Sequence, residues 1–280
     1  MHRGRVLRSF WTTLAFVVAL SVGPVAQGDG GVSILSTGND GLRAQGMDYL
    51  VQQIDFFQRD GVRSSDRFFQ QEFRWVPDDP RRDADGAGLT YLFDTSWGEE
   101  TADGIDRPAV EASFGRAVDT WAAAQCLDGV ALTAIPHDGS DVTIFDWVVD
   151  AGGLGDPFAA DVIVAGFPEG MRDFFGPDTL AFSVTFVFVD GDGRPTDLDG
   201  DGHLDTARNE IYLNPDADWS LSGAEGFDLE TTGLHELGHA LGLGHFGAPP
   251  ESVMSPVFTG VKRDLFPIDQ AALCVVHGNE

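Results

Sequence analysis

The chain has 280 residues, 42% of them hydrophobic and 11% aromatic, which supplies enough apolar material for a buried core and excludes a disordered protein. Its 45 acidic residues outnumber 17 basic ones, Lys262 is the one lysine, and the formal charge is −28. A surface so negative repels phosphate backbones, so nucleic acid is not an expected partner; it suits cation binding, or a highly solvated acidic surface with no specific partner.

Taken in chain order, Arg3, Arg5 and Arg8 precede an apolar stretch from Phe10 to Val22, followed by Gly23, Pro24 and Ala26. A positive start, an apolar middle and a small-residue exit describe a secretory signal peptide over residues 1–26. The apolar stretch is shorter than the roughly 20 residues of a bilayer span, with an uncleaved anchor as the alternative. The expected product is secreted, extracellular, monomeric and free of the membrane. Residues 27–72 are polar, with phenylalanine pairs at Phe56–Phe57 and Phe68–Phe69. They read as a short helical or partly ordered extension, either a removable propeptide or a plain N-terminal addition.

Residues 73–280 form the main domain. Strands are expected at Phe73–Val76 and Leu89–Phe93, with an Asp/Pro/Arg-rich loop between them. Asp106 is a good N-cap for a helix from Arg107 to Gln125, since Pro108 is tolerated in the first turn and Val110, Phe114, Ala117, Val118 and Trp121 share a face. Strand-like runs follow at Val130–Ile135, Asp141–Val149, Asp161–Phe167, Leu180–Val189 and Glu210–Asn214. A helix capped by Asp228 runs through His239, and a short one covers Ile268–Val276. Strands dominate the middle and helices sit before and after, so the fold class is α+β. Cys126 and Cys274, in an oxidising compartment and without CxxC spacing, suggest one long-range disulfide, with two buried thiols as the alternative.

Residues 235–245 read HELGHALGLGH. His235 and His239, four apart on a helix, project from one face and can meet a single tetrahedral zinc ion at about 2.0–2.1 Å. Glu236 stands beside the first ligand, placed to act as catalytic base on water at the metal. A third ligand so soon after cannot come from the same straight helix. Gly242 can take the left-handed conformation that ends it and delivers His245. With seven histidines in the chain, chance gives H-E-x-x-H-x-x-G-x-x-H with odds on the order of 10⁻⁵.

This motif, followed by the turn Ser252-Val253-Met254-Ser255-Pro256, resembles the metzincin zinc peptidases. The branch it resembles most is the matrixins, the matrix-metalloproteinase-like one. The order LTYLF, DTWAAAQ, DVTIF, EIYLN with Trp219, FDLETTGLHELGHALGLGH and FPIDQAAL follows theirs over roughly residues 73–277. The resemblance implies a twisted mixed β-sheet with an active-site helix and two further helices, and a Met-turn in which Met254 floors the metal. It also implies an extended peptide substrate antiparallel to an edge strand within Leu180–Val187, with Val257 and Phe258 lining the pocket after the cut. Two departures stand out. Only His137 and His203 precede the motif in the region where matrixins hold a structural zinc, so that site is not expected. No cysteine lies between residues 27 and 125, so a propeptide thiol cannot silence the metal.

Residues 190–205 read DGDGRPTDLDGDGHLD. Asp197, Asp199, Asp201 and Asp205 fall at calcium-loop positions 1, 3, 5 and 9, with Gly202 at 6 and the His203 carbonyl at 7, although Arg208 replaces the usual glutamate. A structural Ca²⁺ loop outside the EF-hand fold is the expectation, against a solvated Asp/Gly turn. The whole predicts a zinc endopeptidase acting on protein or peptide substrates. The competing readings are a non-catalytic calcium- and zinc-binding module on the same scaffold and a hydrolase of small substrates.

Overall fold

The computed structural model describes residues 39–40, 42–43, 47–59, 73–82, 88–124, 126, 131–144, 159–247 and 249–278. The signal segment expected at residues 1–26 lies outside them. Among the described residues the main elements follow in the order β1 (Tyr49–Gln58), β2 (Phe73–Arg74), β3 (Leu89–Phe93), α1 (Arg107–Ala122), β4 (Leu132–Ala134), β5 (Val162–Gly166), a 3₁₀ turn (Glu169–Phe174), β6 (Thr179–Phe188), β7 (Leu204–Leu213), β8 (Trp219–Ser220), β9 (Phe227–Asp228), α2 (Leu229–Ala240) and α3 (Pro267–His277).

The main sheet is ordered β1-β6-β7-β5-β3-β4, with β2 added beside β7. The β4–β3–β5–β7 side is parallel, while β6 runs antiparallel to both β7 and β1. β5 and β6 are buried along their whole length, which is why each reads as an unbroken apolar or β-branched run rather than an alternation. Their two faces meet different partners. One faces α1, α2 and α3 through Phe114, Trp121, Leu180, Leu234 and Leu237; the other is covered by an aromatic layer of Tyr49, Phe182, Phe186, Phe188 and Tyr212. α1 and α2 are locked by the indole N–H of Trp121, which donates to the Leu234 carbonyl at 2.8 Å. Asp106 caps α1 by accepting from the Ala109 N–H at 2.8 Å.

Three expectations need correction. Residues 49–58, read as part of a helical or partly ordered extension, form the longest kind of strand in the sheet. Their run of β-branched and aromatic side chains finds a partner in the free edge of β6, and that pairing overrides local preference. Residues 141–144 are not a strand. Their backbone is satisfied by side chains of β7 instead: Arg208 donates to the Val142 carbonyl at 2.7 Å, and the Ile144 N–H donates to Glu210 at 2.9 Å. The remainder of that expected strand, residues 145–149, lies outside the described residues. β7 itself begins at Leu204, six residues before the expected start, because buried Arg208, Asn209 and Glu210 are paired. Asn209, for example, bonds Ser183 and Thr185 on β6.

Cys126, just past α1, is bonded to Cys274 in α3, with the two Cα atoms 4.9 Å apart across 148 positions of sequence. Closing so long a loop stabilises the fold by about 5 kcal/mol through the unfolded state. Cys274→Ser is expected to lower the thermal midpoint by several degrees, about 10 °C at that loss in a domain of this size, and reduction of the wild-type chain to do the same. A midpoint unmoved by both in scanning calorimetry would remove the disulfide from the account of stability.

Candidate metal centre

α2 carries the first two histidines, and its ends are closed by the residues around it. Asp228 accepts from the N–H and hydroxyl of Thr231 at 2.9 and 2.7 Å, satisfying the first turn, and an ion pair with Arg263 holds the cap in place. At the other end Gly242 takes φ +88°. Its N–H donates to the His239 carbonyl and that of Leu243 to the Gly238 carbonyl, both at 2.9 Å, the two bonds that close a helix on a left-handed residue. The chain turns there and brings His245 back beside His239.

The three ring Nε2 atoms converge: 3.1 Å between His239 and His235, 3.2 Å between His239 and His245, and 3.3 Å between His235 and His245. Two of the rings are oriented from behind. Nδ1 of His235 lies 2.8 Å from the Val253 carbonyl and Nδ1 of His239 lies 2.7 Å from the Leu243 carbonyl. A carbonyl only accepts, so Nδ1 carries the proton in each and Nε2 presents a bare lone pair to the centre. Burial favours the neutral rings, pushing His235 well below the ordinary histidine pKa, His239 down to about 4 and His245 down to about 3. Three nitrogens at 2.0–2.1 Å from a tetrahedral zinc are about 3.3 Å apart. The residues present fit that ion.

Glu236 is fully buried, and among the described residues neither of its carboxylate oxygens has a hydrogen-bond partner. Burial, and then the nearby Asp55, push its pKa well above the usual carboxylate range. A carboxylate left so exposed to its own desolvation is placed for something that arrives with a proton to share.

The turn after His245 supports the trio from below. Met254 is fully buried, and its carbonyl accepts from the Phe246 N–H at 2.8 Å. Asp269 in α3 fixes the turn by accepting from the Ser252 hydroxyl and, at 3.1 Å, from the Val253 N–H. Sequence reasoning missed Asp269, and so its hold on Val253, the residue whose carbonyl orients His235. It also missed two side chains of β1. Phe57 stacks on the His235 ring with centroids 4.0 Å apart, and an Asp55 carboxylate oxygen lies 3.8 Å from His239 Nδ1. The signal was available in the apolar run around them, but nothing local says which strand it joins.

The Asp-rich loop is gathered differently from the expectation. Asp197, Asp199 and Asp205 bring one oxygen each within 4.8 Å of one another. Asp201 instead turns to Arg74 at 2.7 Å, and the His203 ring faces Asp201 at 3.3 Å. Arg74 also reaches Asp199, and Arg81 reaches Asp205, so part of the loop's negative charge is met by arginines. His137, away from the trio, is engaged by Thr95 and by the Ser140 carbonyl.

The matrixin family profile matches residues 187–277, the span holding the metal trio, its turn and α3. Over that span the chain is similar to the matrixin-like metzincins. It is 29% identical over 196 residues to Metalloendoproteinase 2-MMP of Arabidopsis thaliana, covering 69% of this chain and 41% of that one. It is 30% identical over 125 residues to Matrix metalloproteinase-19 of Mus musculus, covering 44% and 22%. Over 102 residues it is 35% identical to Matrilysin of Rattus norvegicus, covering 36% and 33%. The matched region thus spans about two fifths or less of each of these relatives.

In this matrixin-like site the helix backbone approaches the turn so closely that only glycine fits at residue 238. A Cβ there would press on the Met254 sulfur and lie 2.9 Å from the Trp121 ring. Gly238→Ala is therefore expected to destabilise the chain by about 1–3 kcal/mol through overpacking and to loosen zinc, measured as a raised dissociation constant in a chelator competition. Unchanged zinc affinity would show that the Met254 floor does not govern the trio.

Proposed function

We propose that this chain is a secreted zinc endopeptidase that hydrolyses peptide bonds in protein substrates, with His235, His239 and His245 as metal ligands and Glu236 as general base. One observation carries the reading: three Nε2 atoms converge at 3.1–3.3 Å next to a buried carboxylate with no partner of its own among the described residues. Matrixin homology supports the reaction class. Bound at the trio, zinc supplies Lewis acidity that favours attack of water on a carbonyl.

The protein's own share is positioning and proton transfer. Glu236 takes a proton from the attacking water and passes it to the departing amine nitrogen. The carbonyls of Val253 and Leu243 hold two imidazoles in the tautomer that keeps Nε2 free, which also raises their basicity as ligands. Met254, fully buried, helps to exclude water from the underside. A calcium ion at Asp197, Asp199 and Asp205 belongs to the same proposal, supported by carboxylate spacing and by resemblance. Secretion rests on the N-terminal sequence, and no helix among the described residues is long and apolar enough to cross a membrane.

Glu236→Ala is expected to keep stoichiometric zinc while its hydrolysis of casein falls by about 10²–10⁴-fold, the usual contribution of a positioned proton carrier. Chelation of wild-type protein should abolish cleavage and added zinc restore it. Cleavage that survives the substitution with zinc retained would defeat the assignment of Glu236. Metal analysis showing no zinc in the purified chain would defeat the site.

A further inference from the structure

α3 touches the surroundings of the metal trio at both of its ends. In its first turn Asp269 accepts from the Ser252 hydroxyl and, at 3.1 Å, from the Val253 N–H, and the Val253 carbonyl orients the His235 ring. In its last turn Nε2 of His277 lies 2.7 Å from the Leu241 carbonyl. A carbonyl only accepts, so this nitrogen carries the proton and donates it. Leu241 caps α2 immediately before Gly242, where the chain turns back to deliver His245. Space at that turn is short: a Cβ on Gly242 would lie 3.1 Å from the Phe73 carbonyl oxygen and 3.5 Å from the Val276 side chain. One helix thus steadies the support of the first ligand and the turn that presents the third.

The covalent hold on that helix falls between its two contacts. Cys274 stands five residues after Asp269 and three before His277, and it is bonded to Cys126 just past α1. At 1.5 Å of rise per residue the sulfur link is about 7.5 Å along the axis from one contact and about 4.5 Å from the other. A stiff helix pinned at that point cannot move away from either turn. α1 is itself fixed to α2, since the Trp121 N–H donates to the carbonyl of Leu234, the residue before His235. The disulfide therefore ties α3 to the same frame that carries the first ligand. The rest of the hold is apolar: Ala272, Leu273 and Val276 enter the core, while Val275 is exposed. Cys126 and Cys274 are both half-buried, within reach of a small thiol. A disulfide that acted on the unfolded chain alone would move the melting midpoint and leave the folded chain's affinity for metal as it was. The two contacts of α3 point to more than that.

We infer that the Cys126–Cys274 disulfide is a redox switch on the metal centre. Closed, it keeps α3 against the Ser252–Val253 turn and the Leu241–Gly242 turn, and the trio holds zinc tightly. Open, it lets α3 shift, the backing of His235 and the delivery of His245 loosen, and zinc affinity falls. The inference deepens the peptidase reading above, and its consequence for catalysis rests on that reading. In the closing step the two cysteine thiols lose two electrons and two protons and the S–S bond forms. A small-molecule disulfide takes up both and leaves as two thiols. A small dithiol runs the step in reverse and leaves as a cyclic disulfide. Inside a thiol-rich compartment the chain holds zinc weakly, and it becomes competent on reaching an oxidising one.

The test compares the oxidised full chain with its Cys126→Ala, Cys274→Ala double variant, which needs no reductant in the zinc assay. Both are measured well below their melting midpoints, with circular dichroism confirming that each is folded. The zinc dissociation constant, from chelator competition, is expected to rise at least about tenfold in the variant, the loss seen when groups behind a metal ligand are loosened. In the metal-free chains the amides of residues 252–254 are expected to exchange faster in the variant while those of α1 stay protected, a readout that needs neither metal nor turnover. If the double variant does not fold, wild-type chain reduced with a phosphine, freed of it and capped with iodoacetamide takes its place. An unchanged dissociation constant, or unchanged exchange at 252–254, overturns the switch. So does a chain that fails to fold in both forms, because the disulfide then serves the whole fold and not the site. Casein separates this inference from the one it rests on. An oxidised chain that binds zinc tightly and cuts nothing defeats the peptidase reading and leaves the switch on the metal site. Cleavage by both forms with equal zinc affinity defeats the switch alone.

Discussion

Three ring nitrogens face one another across 3.1–3.3 Å, the lone pairs of His235 and His239 among them repel, and the rest of the site is arranged so that they cannot avoid it. Protonation would turn repulsion into hydrogen bonding, but burial holds His239 near a pKa of about 4 and His245 near about 3, so the rings stay neutral at any ordinary pH. Rotation would turn the lone pairs away, but the carbonyls of Val253 and Leu243 grip the far nitrogens of two rings. A divalent cation at the centre is the remaining way to convert an unfavourable cluster into a favourable one. The cap at Asp228, the left-handed Gly242 and the Asp269 anchor in α3 all act on that cluster by denying it alternatives.

The sheet edge beside it poses a second problem with a related solution. β6 is ten residues long and buried throughout, and left bare it would present a long apolar row of unpaired N–H and C=O groups. Such an edge pairs with whatever extended chain is available. Covering the edge with the chain's own β1 satisfies those groups within the fold.

The sequence was most legible where structure is local. The cap, the helix and the turn around HELGHALGLGH are dictated by residues within a few positions of one another, so the motif, Asp228 and Gly242 could be placed before any coordinates. The disulfide, by contrast, was one of two readings of the cysteine count. What escaped were pairings made at a distance. β1 was misread because Tyr49–Gln58 acquires strand character from β6, more than a hundred residues away. The start of β7 was missed because Asp205 and Arg208 look like a loop until Arg81 and Val142 are seen to pair with them. Asp269 carried no signal in the sequence, and only its bonds to Ser252 and Val253 connect it to the metal turn.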